Sequence, residues 1–568
     1  MKRVVAFFCV AIACAGIGWG AYRAATPSTL RLSNYVPAGP LLYLEAKNFS
    51  SLLSDWNSSP QKRQWIQSSN YEVFSRSRLF LRLKGASDQF AAAAGLPPDM
   101  TFLSQAAGEH SVLALYDIGN LQFLYITYLP SAKSMETMLW QTRAKFEPRT
   151  AGGVNFYVRR DLDSQREVAF AIAGDYLLLA TREDLMASAL ELMAGKQDRT
   201  VESEPWWTQT TTAAGRAGDL RMVLDLEKLV PNGYFRTYWV QQNITDLSQY
   251  SSGVVDLYRS AKSYREERVL IRKKEPPTPA SAEGLAAAAD LTRLVPGDAG
   301  FYAAVANPKA DAYFALLESK LLAPHFGPAP PSQLAPQVQL TSGEQGGASA
   351  LETRIDQAPA EGAVVGPPAS PLKALLDNAS ILGSLQVQST ERDQAGVFVR
   401  THTAVVLAGA ADWDEAGVQS ALTDSIRPGL TAGQLGVSWQ QKSGYQQLDG
   451  LWKLVVSVRG KYLVLSDEPA LMESLLSNIG RASERQPAEF LAGFQHQRER
   501  ANFSRFAGLV DRPGAGMSNG FGSDGPPQFF SGNAASLSAV LSGVSSERIE
   551  IRGDGSKVRQ SVTYEWSQ

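Results

Sequence analysis

Apolar and polar positions alternate along the 568-residue chain with a rhythm that changes several times. Residues 4–21 (VVAFFCVAIACAGIGWGA) run 18 positions without a charge behind Lys2 and Arg3. At a rise of about 1.5 Å per residue, such a stretch approaches the roughly 30 Å of a bilayer's hydrocarbon. Trp19 and Tyr22 stand where interfacial aromatics belong, and the two leading charges favour a cytoplasmic N-terminus. The pattern predicts a signal anchor over residues 1–25, retained as a transmembrane helix in the inner membrane, with the soluble part in the periplasm or its equivalent. Cleavage and lipidation are the alternatives. Tyr22 and Arg23 spoil the small-residue positions before a cut near Ala24 or Ala25, and Cys14 has Ala11 where lipidation signals usually carry Leu.

Beyond the anchor, short strand patterns alternate with single helices. Residues 111–116 and 121–129 are apolar strand candidates around an Ile-Gly-Asn turn, and 134–146 has helical spacing through Met135, Met138 and Leu139. Residues 154–158, 168–173 and 176–180 follow as strands, the last two joined at Gly174-Asp175. Thr181 is the expected N-cap of the next helix, with Asp184 three residues on and Gly195 closing it; Ser466 and Gly480 take the same roles later. Hairpins interrupted by single helices predict mostly antiparallel α+β architecture.

Three blocks recur in the same order. VPAGPLLYL at 36–44 is answered by VPGDAGFYA at 295–303, an offset of 259. AGDYLLLATREDLMASALELMAG at 173–195 is answered by RGKYLVLSDEPALMESLLSNIG at 459–480, which sets Tyr176 against Tyr462 at an offset of 286. ERVLIR at 267–272 is answered by ERIEIR at 547–552. The offset grows by 27 between the first two blocks, and a Pro-, Gly-, Ser- and Ala-rich run over 323–371 supplies the extra length as a disordered insertion. The expected fold class is therefore α+β, an N-terminal membrane helix followed by two repeated, mostly antiparallel sheet-plus-helix modules: 30–274, a linker over 275–290, and 291–568.

The VPAGPLLYL opening after an anchor, the strand-helix block around Tyr176 and the recurrence of both resemble bacterial extracytoplasmic proteins grouped as domain of unknown function 3352. The likeness covers most of 30–567 and rests on strand and turn signatures. It implies an envelope protein and carries over no functional residues.

Composition narrows the chemistry. A hydrophobic share of 44% with 19% charged residues is a globular balance, and 54 basic against 56 acidic side chains leave no basic field to gather nucleic acid. Both cysteines, Cys9 and Cys14, precede the soluble part, so no thiol chemistry or disulfide is open to it. The four histidines, His110, His325, His402 and His496, lack metal-ligand spacing, and neither a metal nor a cofactor is expected. Asp161-Leu162-Asp163 and Asp412-Trp413-Asp414 begin like calcium loops. The first lacks the loop's glycine; the second has Gly417 but ends on Thr423, where a bidentate Glu is needed.

Motifs for nucleophilic catalysis fail on context. Gly516-Met517-Ser518-Asn519-Gly520 matches a nucleophile elbow, but it sits among turn formers and no histidine follows it. Ser59-Pro60-Gln61-Lys62 imitates the S-x-x-K of penicillin-binding enzymes, with Ser68-Ser69-Asn70 and Lys442-Ser443-Gly444 as companions; a Ser N-cap followed by Pro explains it without catalysis. The aromatics Trp206, Trp207, Tyr234, Phe235, Tyr238 and Trp239 are the candidate ligand platform, weighed against simple core packing.

Together these features predict a non-enzymatic, membrane-anchored extracytoplasmic protein that binds or scaffolds an envelope protein or a hydrophobic ligand. A periplasmic hydrolase with an unidentified site and a carrier of hydrophobic ligands are the other readings. A reporter fused after Gln568 and active only outside the cytoplasm is expected to give signal; activity from a cytoplasm-only reporter would overturn the topology.

Overall fold

The computed structural model describes residues 31–566 apart from 98–101, 164, 239–246, 276–278, 323–370, 393–398, 432–437, 450–452, 483–484, 497 and 500–543. The chain divides into two compact units. One runs to Arg259 and includes Glu266–Glu275; the other holds Ser260–Arg265 and continues from Pro276.

In the first unit the strands are β1 (Leu42–Lys47), β2 (His110–Asp117), β3 (Gln122–Tyr128), β4 (Glu147–Ala151), β5 (Val154–Arg160), β6 (Glu167–Ala173), β7 (Tyr176–Ala180), β8 (Leu220–Asp225), β9 (Tyr250–Arg259) and, from Glu266 on, β10 (Ser263–Arg272). Their lateral order is β4-β5-β6-β7-β3-β2-β1-β8-β9-β10, and every pair from β4 to β9 is antiparallel. In the second unit they are β11 (Phe301–Ala306), β12 (Ile381–Arg392), β13 (Val399–Gly409), β14 (Ser438–Gln441), β15 (Gln446–Asp449), β16 (Leu454–Arg459), β17 (Tyr462–Ser466), β18 (Phe490–Phe494), β19 (Val544–Gly553) and β20 (Lys557–Trp566). Here the order is β14-β15-β16-β17-β13-β12-β11-β18-β19-β20, again antiparallel throughout. Tyr176 and Tyr462 each open a strand, β7 and β17.

The fold class expected from the sequence is corrected. Among the described residues the strands belong to a large, mostly antiparallel sheet of twenty strands with helices, where a membrane helix followed by two repeated sheet-plus-helix modules was expected. Hairpin and alternation signals are local, whereas sheet membership depends on which strand edges find partners, and no single strand's pattern records that. Among the described residues no helix is long and apolar enough to cross a membrane, and the anchor expected at 4–21 lies outside them. Two further expectations change. The helix Ala282–Leu291 fills much of the span assigned to the linker: Ser281 caps it, accepting from Gly284 N, and Ala289 and Leu291 enter a core. An alanine-rich run is a strong helix former, so three nearby prolines did not set its conformation. The helix expected over 134–146 is broken into Ser131–Glu136, Met138–Gln141 and a 3-10 turn, because Thr137 is extended and caps the second piece through its own hydroxyl. Of the insertion expected over 323–371, only Pro371 is described, and it opens the helix Pro371–Asn378.

The central strands are buried on both faces, which explains their unbroken apolar runs. In β7, Leu178 and Ala180 enter one core with Met186 and Leu190 of the helix Glu183–Met193, while Leu177 and Leu179 enter another with Phe90 and Phe102. In β6, Ala169 and Ala171 face the first core, and Val168 and Phe170 the second. The second unit repeats this division: Val464 faces Met472 and Leu475, whereas Leu463 and Leu465 face Val418 and Leu422.

A line of polar side chains crosses β2, β1, β8 and β9. His110 Nε2 lies 2.6 Å from Glu45 Oε1. Glu45 stands opposite Arg221, and Arg221 opposite Asp256. The guanidinium grips Asp256 with Nε to Oδ1 at 2.8 Å and Nη2 to Oδ2 at 2.7 Å, and Nη2 also donates to Gly215 O at 2.9 Å. Both side chains are nearly sealed, 9% and 3% exposed. Burial alone would lower the Arg221 pKa, but the hydrogen bonds and charge of Asp256 raise it. Burial likewise opposes the Glu45 carboxylate, yet His110, Tyr43 and Arg221 together hold its pKa below the ordinary value.

Removing one partner of a buried pair strands the other's charge. Asp256→Ala is therefore expected to cost about 3–5 kcal/mol by denaturant unfolding, and Arg221→Met with Asp256→Leu much less; a single-variant loss within the range of surface substitutions would refute the pair's role. Because the Glu45 pKa is depressed by folding, its stabilisation is complete above the unfolded-state pKa and is lost as pH falls through the folded-state value. Melting temperature on acidification should fall less steeply in Glu45→Gln than in the parent chain, and identical slopes would argue against the assignment.

Candidate functional site

On the face of the first unit's sheet opposite the helix Glu183–Met193, two helices cover β1, β2, β3 and β7. Arg78–Ala94 begins at a Ser77 cap, whose hydroxyl accepts from Phe80 N, and ends at Gly95 with φ +67, a left-handed stop that glycine adopts without strain. The short helix Phe102–Ala106 follows. Phe90 stacks on Phe102 at 5.8 Å and meets Phe123 at 6.0 Å, so the helices are pinned at one end of the face. Elsewhere they stand off from the strands.

The gap is a pocket of about 350 Å³. Its wall includes Leu44 and Ala46 from β1, Leu83 and Ala86 from the helix, and Leu113 and Leu179 from the sheet. Among the described residues, the polar side chains in the wall are Ser87, Ser111, Tyr125, Arg166, Glu167 and Thr181. Three of these are already engaged: Ser111 Oγ lies 2.6 Å from Thr127 Oγ1, Tyr125 donates to Ala106 O at 2.8 Å, and Thr181 Oγ1 accepts from Phe123 N at 2.8 Å. Burial pushes the Tyr125 phenol's pKa up, which keeps it neutral. The interior surface is thus hydrocarbon, and Leu83 and Leu103 in its wall remain 48% and 42% exposed. The matching face of the second unit is filled by Tyr313, Leu317, Leu372 and Leu376, and the cavity beside Val418 and Val456 is about 10 Å³, room for a single water at most.

Arg166, Glu167 and Thr181 also belong to the wall of a second, polar space of about 400 Å³, lined further by Gln89, Asn120, Gln122, Arg160, Gln165 and Arg182. Arg82 from the helix donates to Gly119 O and Arg166 to Asn120 O, so two guanidinium groups hold the β2–β3 turn beside the pocket. Arg166 Nε also donates to Gln89 Oε1 at 3.0 Å. Leu121 in this turn has φ +51 and Gln165 has φ +56, a region that side-chain-bearing residues enter at a cost of about 1–2 kcal/mol. Leu121 lines the apolar space and Gln165 the polar one.

The aromatic residues singled out from the sequence are dispersed. Trp207 is 7% exposed in the other core and meets Tyr43 edge-on at 4.6 Å; Trp206 packs beside it at 5.9 Å. Phe235 is buried with Leu226 and Leu229 in a separate cluster. Tyr234 is 47% exposed, with the Arg82 guanidinium 4.4 Å above its ring, and a side chain at Gly119 would strike that ring. Tyr238 ends the helix Gly233–Tyr238, and Trp239 lies outside the described residues. Trp206, Trp207, Tyr234 and Phe235 are not in the pocket's wall.

Other sequence candidates resolve as structure. Ser59 Oγ accepts from Lys62 N at 3.1 Å, with Pro60 at the first helical position. Thr181 is not the cap expected for the following helix, whose N-cap is Arg182, because its hydroxyl is bound to the β3 backbone. Gly195 does follow that helix in the left-handed region, and Lys196 N closes back on Glu191 O. Ser466 is likewise not the cap expected for the helix Pro469–Ser477, whose N-cap is Glu468 and whose C-cap is Asn478; its Oγ accepts from Glu468 N ahead of the helix, and Gly480 does not enter the left-handed region. Asp414 Oδ1 accepts from Ala416 N at the start of the helix Glu415–Thr431. Ser518 lies outside the described residues, and among these no group of three or more His, Cys, Asp or Glu is arranged to hold a metal.

No family model matches the chain, and no curated protein matches it. Among solved structures, it is similar to crystal form IV of TP0453, 11% identical with a TM-score of 0.25 over 44% of this chain and 83% of that one. Form I gives 12% identity and a TM-score of 0.24 over 44% and 82%, and form III 11% and 0.24 over 48% and 90%. Scores this low carry no argument about fold or activity.

Proposed function

We propose that the protein is an extracytoplasmic binding protein, held at the membrane by its N-terminal segment, that takes up apolar, chain-like ligands in the pocket of its first unit. The observation that carries this reading is the pocket of about 350 Å³ whose wall is hydrocarbon and whose buried polar atoms already have protein partners. A void of this kind between close-packed helices and strands forfeits dispersion contacts, and a ligand's methylene groups would restore them. Because the polar atoms that Ser111, Tyr125 and Thr181 bring to the wall are already engaged, the ligand's interior part gains by being unbranched and nonpolar. The positive start at Lys2 and Arg3 and the uncharged run 4–21 support the membrane location, and the likeness to extracytoplasmic proteins of domain of unknown function 3352 fits the same compartment. The function is one of binding, with transfer of the ligand as its natural use.

A homologous series of single-chain amphiphiles, titrated by calorimetry, tests the reading. Each added methylene contributes about 0.8 kcal/mol, so affinity should rise roughly fourfold per carbon until the pocket is full and then level off. Ala86→Trp, which places an indole in the wall, should weaken the best ligand at least tenfold while leaving the melting temperature near that of the parent. Absence of a chain-length dependence would sink the proposal.

A further inference from the structure

The two adjoining spaces differ sharply in chemistry, and the contrast specifies the ligand more closely than the apolar pocket does. Within the polar space stand three guanidinium groups, from Arg160, Arg166 and Arg182, and one carboxylate, from Glu167. Glu167 is turned away from a ligand's needs: its Oε1 accepts from Glu183 N at the start of the helix Glu183–Met193. Arg182 is shared between Asp184 and Gln122 Oε1, the latter at 3.1 Å. Arg160 ends β5 with an exposed side chain. Gln89, Asn120, Gln122 and Gln165 surround these cations with amides that can donate to an oxyanion. The space therefore carries an excess of positive charge over a surface rich in donors, directly beside a wall of hydrocarbon, with Arg166, Glu167 and Thr181 common to both.

We infer that the ligand is an amphiphile with an anionic head, its chain lying in the apolar pocket and its carboxylate or phosphate held in the polar space by Arg160 and Arg166 with help from Arg182. This inference rests on the proposed binding function and adds the head group. Arginine suits the task, since its planar fork pairs with carboxylate and phosphate oxygens in two parallel hydrogen bonds. A ligand confined to the apolar pocket would leave the exposed Arg160 guanidinium to solvent, and a cationic head would meet a lining in which guanidinium groups outnumber carboxylates. The arrangement also orients the ligand, because the head fixes which end of the chain enters.

The test uses the full chain and four ligands of equal chain length: an alkyl carboxylate, an alkyl phosphate, the alcohol and the trimethylammonium salt, titrated at pH 8 and low ionic strength. The anions are expected to bind at least tenfold more tightly than the alcohol and the cation most weakly, with the margin shrinking in high salt; the ratio of phosphate to carboxylate affinity then tells which head the site takes. Arg160→Gln, at an exposed position where folding is not at stake, should reduce anion affinity severalfold and leave alcohol affinity unchanged. If all four bind equally, or if Arg160→Gln weakens alcohol and anion alike, the head-group assignment is overturned while the apolar pocket stands. If none binds, the pocket reading itself falls and takes this inference with it.

Discussion

Every central strand of the sheet has to serve two cores at once, and most of the architecture follows from that constraint. A side chain and its neighbour point to opposite faces, so a five-residue strand such as β7 can be fully buried only if helices cover both sides. On one face of the first unit, the helix Glu183–Met193 and the pair Trp206-Trp207 provide a close cover. On the other, the cover is anchored by Phe90 and Phe102 and lifts away from β1 and β2. The pocket is thus a consequence of how two helices are pinned, not of any unusual residue in the strands beneath.

Much of this was legible in the chain. Strand limits at 154, 176 and 180 and the helix stop at Gly195 follow from alternation and turn chemistry, which act over a few residues. Sheet membership was not legible, because edge pairing is nonlocal. The pocket was invisible for a different reason: Leu44, Leu113 and Leu179 look in sequence like any core leucine, and only the spacing of helix and sheet distinguishes a wall from a packed interior. Aromatic density did not mark the pocket. Trp207 and Phe235 are dense in sequence because each serves a separate cluster, and their large surfaces are spent on packing. The arginines of the polar space gave no signal either, being brought together from β5, the β5–β6 loop and the N-cap of the helix Glu183–Met193.

The polar line from His110 to Asp256 sits on β1, β2, β8 and β9, of which β1, β2 and β8 also contribute to the pocket wall. A slip of one residue between β1 and β8 would separate Glu45 from Arg221 and turn Leu44 and Ala46 to the opposite face. Apolar strands with two buried faces tolerate such a slip more readily than strands with one, because hydrophobic side chains are acceptable on either side. A paired guanidinium and carboxylate, useful only in one alignment, removes that ambiguity.

Leu121 carries a different implication. A chain under selection for folding alone would place glycine or asparagine at a left-handed turn position, and leucine there holds the native state above the minimum its backbone could reach. What the isobutyl group gains in exchange is contact with the apolar space rather than with the packed interior. The turn between β2 and β3 is therefore a place where a glycine would relax the backbone and at the same time open the wall of the apolar space.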